Sequence, residues 1–246
     1  MREKPHHVSR FISVSSVAKN SIIAAMIRAL IFDFDGLIFD SETPDFISWQ
    51  ETYAFFGVEL PRDVWNAQIG TVAFNPYLHL EELVGRPLDR QMVWAKRKAR
   101  DNELLAMQTI LPGVEDYLAQ ARQLGLKIGL ASSSDHSWVD EHLQRLGLFA
   151  QFEVICCADD VGGVGKPDPA VYRAAIAALD IWPHEGLALE DSPNGVTAAK
   201  GAGLWCTAVP NPMTRDLDLD HADYRLNALT DMPLTQLIAE VINGTS

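Results

Sequence analysis

Residues Ala29 to Glu42 read Ala-Leu-Ile-Phe-Asp-Phe-Asp-Gly-Leu-Ile-Phe-Asp-Ser-Glu, an apolar run that stops abruptly at two carboxylates and a glycine. A run this short and apolar, closed by a turn signal, describes a strand covered on both faces, the environment of a parallel sheet. Asp33 and Asp35, two residues apart, then project to one side of the strand's end. In open α/β sheets ligands collect outside the carboxyl ends of the strands, so the pair stands where chemistry is expected. Gly36 frees the backbone to turn there. A calcium loop does not fit, because an EF-hand needs a third oxygen ligand before its glycine and a glutamate closing the loop. A plain strand end with solvated acids fits the stretch equally well by itself, and partners elsewhere must decide.

The rest of the chain supplies the setting. From Ser41 to about Thr109 apolar residues recur at three-to-four spacing, predicting helices over Pro44–Phe56, Asp63–Gln68, Phe74–Leu83 and Asp89–Gln108, with no strand pattern between them. From Val114 helices alternate with strands expected at Lys127–Ala131, Phe152–Cys156, Leu187–Glu190, Trp205–Val209 and near Tyr224, and a closing helix is expected over 234–243. The fold class is therefore α/β, a parallel sheet covered by helices with a four-helix insertion. Residues 26–41 and 110–246 form the core domain and 42–109 the insertion. Residues 1–25, basic and nearly free of acids, read as a transit peptide, a flexible tail or an overextended start ahead of Met26; the last is expected, a disordered extension that contributes nothing to catalysis.

Charge narrows the partners. A net charge of -13 excludes a general nucleic-acid or anionic-membrane surface, and an anionic substrate must meet local positive charge. No run reaches the roughly 18 apolar residues of a membrane span, since Lys19, Asn20 and Arg28 break the one candidate. Cys156, Cys157 and Cys206 have neither metal-ligand spacing nor disulfide density, and they read as buried small hydrophobes of a reducing compartment. A soluble, cytoplasmic chain, monomeric or weakly oligomeric, is expected.

Three more strand ends carry chemistry-bearing residues. Ser132, Ser133 and Ser134 follow the second strand and precede a helix with Asp135 as its N-cap, where hydroxyls and free N–H groups suit a phosphate; the same pattern is also ordinary helix punctuation. Lys166 is the only cation of the loop Gly162-Gly-Val-Gly-Lys-Pro-Asp-Pro. That loop is not a Walker A sequence, which needs a glycine where Asp160 stands and a Ser or Thr where Pro167 stands. Lys166 is either a solvated loop lysine or a phosphate ligand held by stiff neighbours. Glu190 and Asp191 end the fourth strand, and with Asp33 they offer the hard oxygen environment that Mg²⁺ prefers.

With these elements placed, the chain resembles the haloacid dehalogenase-like hydrolases, in particular the β-phosphoglucomutase-like branch with a helical cap after the first strand. The resemblance spans about residues 27 to 230. Its motifs correspond to Asp33-Phe-Asp35-Gly36, Ser132, Lys166 and Glu190-Asp191. It implies a Rossmann-like core, a helical cap domain over 42–109, and a Mg²⁺-dependent phosphatase of a small phosphorylated metabolite such as a sugar phosphate. It further implies Asp33 as nucleophile forming an aspartyl-phosphate, Asp35 as general acid and base, Ser132, Ser133, Ser134 and Lys166 on the phosphate, and Asp33, Asp35, Glu190 and Asp191 around the metal. Dehalogenase members lack the second aspartate, so Asp35 points to phosphoryl transfer. A sugar-phosphate mutase is the alternative. Against it, Asp45 and Ala73 occupy the places of the mutase's cap histidine and cap arginine. Asp45, Trp49, Thr71, Phe74 and Asn75 are the candidates for substrate contact from the cap.

Overall fold

The computed structural model describes residues 26–66 and 74–244, so the expectations placed on residues 1–25, Thr71 and Ala73 lie outside it. β1 (Ala29–Phe32) is fully buried, and its position explains the absence of polar residues from the run. It is the centre of a six-stranded parallel sheet with β2 (Lys127–Ala131), β3 (Val154–Cys156), β4 (Gly186–Glu190), β5 (Trp205–Ala208) and β6 (Tyr224–Arg225), ordered β3-β2-β1-β4-β5-β6. Ala29 pairs with Lys127 on one side and Gly186 on the other, which sets the tips of β1, β2 and β4 level with one another.

Between β1 and β2 the chain first builds α1 (Glu42–Phe55), α2 (Arg62–Asn66), α3 (Pro76–Val84) and α4 (Arg90–Ala106). These helices share an apolar cluster of Phe46, Trp49, Tyr53, Trp65, Leu80 and Val93, separate from those against the sheet. The segments leading into and out of this block run side by side: Phe39 bridges to Ile110, and Leu111 N–H donates to the Ile38 carbonyl at 2.8 Å. α3 starts at Pro76 rather than at Phe74 because the Asn75 side chain caps it, accepting from the N–H groups of Tyr77 and Leu78 with proline in the first turn.

After that block come α5 (Val114–Gln123), α6 (His136–Arg145), α7 (Ala170–Ala178), α8 (Pro193–Gly201) and α9 (Leu234–Asn243). Strand alternation divides the core between the two faces. Leu30 and Phe32 of β1 and Leu187 and Leu189 of β4 face the cluster closed by α5, α6 and α9. Ala29, Ile31 and Ala188 face the one closed by α7 and α8, whose small residues bring these helices close to the sheet. β3 is shorter than expected at its start, because Phe149–Gln151 form a 3₁₀ turn and Phe152 packs edge-on against Phe32 at 6.0 Å. The three cysteines are free and buried, in keeping with their reading as small hydrophobes. Among the described residues no helix is long and apolar enough to cross a membrane.

Candidate active site

The level tips of β1, β2 and β4 bring Asp33, Ser132 and Asp191 to one end of the sheet, where they line a cavity of about 510 Å³. Asp33, Glu190 and Asp191 are all buried, and each offers a carboxylate oxygen within 4.8 Å of the others. Lys166 joins them: its ammonium donates to Asp33 Oδ1 and, at 2.7 Å, to Glu190 Oε1. With only 6% of its side chain exposed, Lys166 is no solvated loop lysine. The Tyr172 hydroxyl donates to the same Glu190 oxygen at 2.5 Å, and the ammonium lies 5.0 Å from the Tyr172 ring centre. The Ser133 hydroxyl accepts from the Lys166 main-chain N–H at 2.9 Å and so fixes the loop that carries the lysine.

Glycines let the acids pack this tightly. A Cβ on Gly195, in the first turn of α8, would lie 1.7 Å from Glu190 Oε2. At Gly36, where φ is +79°, it would lie 2.4 Å from Asp191 Oδ2. Asn211, in the loop after β5, donates to Asp191 Oδ2 at 2.7 Å and to the Gly36 carbonyl at 3.1 Å. Its own oxygen accepts from the N–H groups of Met213 and Thr214, which locks its orientation.

Crowding shows in the acidities. Burial pushes Asp33 up to about 8, with Lys166 pulling it down and Glu190 pushing it further up. Burial, then the neighbouring Asp33 and Glu190, raise Asp191 well above the carboxylate range. Lys166 is desolvated, yet the two carboxylates it touches hold it firmly protonated. The residues present fit a divalent cation: of three buried carboxylates two are paired with the Lys166 ammonium, and Glu190 Oε2 is buried with no hydrogen-bond partner.

Of the four carboxylates expected around a metal, Asp33, Glu190 and Asp191 lie together, and the Asp35 side chain lies outside that group. Three donors hold it elsewhere: Ser41 Oγ at 2.8 Å and Trp138 Nε1 at 2.9 Å on Oδ1, and Ser134 Oγ at 2.7 Å on Oδ2. Ser132 Oγ accepts from the Ser134 N–H at 3.0 Å and shapes the turn. Asp135 sits at the N-cap of α6 but makes no capping bond with its side chain; the His136 N–H is met at 3.2 Å by Asp159 instead.

From the helical insertion, Asp45 lines the cavity as expected of a candidate contact. Trp49 does not: it is buried against Tyr77 at 4.8 Å in the insertion's own core, and its size is used for packing. Asn75 is spent on capping α3, and Phe74 packs against Trp65 at 6.2 Å. Sequence reasoning missed Glu42, Asp101 and Trp138 in the cavity wall, and Tyr172 and Asn211 behind it. Burial pushes Glu42 up to about 7, with Asp35 and Asp45 adding to it.

A parallel α/β sheet with paired acids at β1, a lysine and a second acid pair at β4 defines a class, and comparison with known proteins agrees. The family model of the haloacid dehalogenase-like hydrolases matches residues 27–203, and the chain belongs to that family. It is 48% identical to "Putative phosphatase YhcW" of Bacillus subtilis, over 87% of this chain and 97% of that protein. It is 32% identical to hexitol phosphatase B of Escherichia coli, over 86% and 97% respectively. Among solved structures it is similar to a mutant of CbbY from Rhodobacter sphaeroides in complex with xylulose-(1,5)bisphosphate, with a TM-score of 0.64, 29% identity and coverage of 84% of this chain and 96% of that one.

Proposed function

We propose that the chain is a Mg²⁺-dependent phosphatase of small phosphorylated metabolites, sugar phosphates foremost, working through an aspartyl-phosphate on Asp33. The observation that carries this is the placement, in one cavity, of a buried carboxylate beside a lysine and of a second carboxylate held ready by three donors. The names of the relatives support the substrate class, since one is called a hexitol phosphatase and another was crystallised with a sugar bisphosphate.

Asp33, Glu190 and Asp191 would hold the cation, which when bound offsets the repulsion between an anionic nucleophile and an anionic phosphate. An Asp33 oxygen attacks phosphorus while the bond from phosphorus to the leaving oxygen breaks, and Asp35 gives that oxygen its proton. Water then attacks the aspartyl-phosphate, Asp35 takes the water's proton, and inorganic phosphate leaves with Asp33 restored. Lys166 and the hydroxyls of Ser132 and Ser133 meet the non-bridging oxygens and need little reorganisation, because hydrogen bonds already hold them, while Ser134 is spent on Asp35 and on Ser132.

The test is phosphate release from a panel of phosphorylated metabolites with Mg²⁺ and with chelator, using the wild type and Asp33→Asn. Release that needs Mg²⁺ and falls by at least about 1,000-fold in Asp33→Asn is expected. Full activity in Asp33→Asn would overturn the assignment. Supplying β-glucose 1-phosphate with a trace of glucose 1,6-bisphosphate separates the mutase: accumulation of glucose 6-phosphate without phosphate release would replace hydrolysis by isomerisation.

A further inference from the structure

We infer that this site selects phosphate monoesters whose remaining part is hydroxylated and uncharged or cationic, and that it discriminates against a second phosphate; the inference rests on the phosphatase reading and names its substrate class. Glu42 and Asp45 of α1 and Asp101 of α4 form an acidic part of the cavity wall. Among the described residues that line the cavity Lys166 is the one lysine or arginine, and it is committed to Asp33 and Glu190.

Among the described residues Arg97 and Lys98 pair with this wall. Arg97 donates to Asp45 Oδ1 and, at 3.3 Å, to Ser48 Oγ; it lies 4.0 Å from Asp101 and stacks 5.2 Å above the Trp49 ring. Lys98 donates to Asp101 Oδ2 at 3.0 Å. The Glu42 side chain makes no hydrogen bond or ion pair with any described residue. The start of α1 is closed to anions as well, because Asp40 already accepts from the Thr43 N–H at 2.9 Å.

Phosphate recognition needs arginine, lysine or free N–H groups. A second phosphate against this wall would lose its water, meet carboxylates and gain no cation. Hydroxyl and ammonium groups gain instead, since the Glu42 carboxylate and Asp45 Oδ2 are acceptors without enough donors.

The experiment measures kcat/KM of the full chain with Mg²⁺ at pH 8, by phosphate release, on glucitol 6-phosphate, glucosamine 6-phosphate and fructose 1,6-bisphosphate. The bisphosphate is expected to be poorer than the glucitol ester by at least about 100-fold, and the amino sugar ester at least equal to it. Asp45→Asn, which removes a carboxylate and frees Arg97, should narrow the gap to the bisphosphate by about tenfold, mainly through its KM. A bisphosphate turned over as well as the monoesters would overturn the inference and leave the phosphatase reading standing, and so would an unchanged ratio in Asp45→Asn. No release from any of the three would remove the phosphatase reading and the inference with it.

Discussion

Asp35 accepts hydrogen bonds from three separate parts of the chain: Ser41 before α1, Ser134 in the loop after β2, and Trp138 within α6. A proton-transferring carboxylate works only where it is aimed, and the indole N–H is the donor that cannot rotate away. Trp138→Phe keeps the ring that packs against His142 at 4.1 Å and Phe39 at 6.2 Å, but it loses the N–H. Its kcat on an alkyl phosphate should fall by about tenfold, and the first phenol release from p-nitrophenyl phosphate should fall much less, because that leaving group needs little protonation. Equal losses in a rapid-mixing measurement on both esters would make Trp138 a packing residue only.

At the level of elements, Glu42 occupies the first turn of α1 and pays for its place in the cavity wall with desolvation. Its ordinary value is 4.5 and burial raises it to about 7, so the folded chain binds its proton more tightly than the unfolded chain. Stability is then full below pH 4.5 and falls as pH rises through about 7. Without divalent cation, Glu42→Gln should stabilise by about 2 kcal/mol at pH 8 and hardly at all near pH 4.5, read as a difference in Tm across the pH series. A uniform shift at all pH values would refute the burial argument.

The same scale shows what the sequence made legible. β1 and β4 could be read directly, because a strand buried on both faces is apolar throughout and its end is marked where acids begin; Asp33, Glu190, Asp191 and Lys166 followed from that order. Trp138 could not be read, since its partner lies 103 positions away and an aromatic one turn into a helix normally signals packing. Asn211 hid in a proline-flanked loop for the same reason. Trp49 and Asn75 show the opposite case: their place in the insertion suggested contact with substrate, and the structure sets them in an apolar helix face and at a helix start.

Across the whole molecule, a chain of net charge -13 gathers three buried carboxylates at the tips of its central strands, where among the described residues Lys166 is the ammonium that pairs with two of them. Such a centre is strained by its own repulsion, and a bound cation should relieve it. Adding Mg²⁺ at about 10 to 100 times its Kd should raise stability by about 1.4 to 2.7 kcal/mol. Asn211→Ala, which unties Asp191, should weaken that response in a thermal melt, while an unchanged response would place the cation elsewhere.

The central claim is that phosphorus passes through Asp33. The direct measurement is to mix Asp35→Asn with p-nitrophenyl phosphate and Mg²⁺, quench in acid within the first turnover, and map the phosphoryl group by peptide mass. Asp35→Asn should leave attack on this activated ester possible and stall the attack of water, so the phosphoryl group should accumulate on the peptide that contains Asp33 and be absent from the Asp33→Asn, Asp35→Asn double variant. Release of phenol together with an unmodified Asp33 peptide, or the phosphoryl group on any other residue, would contradict the account.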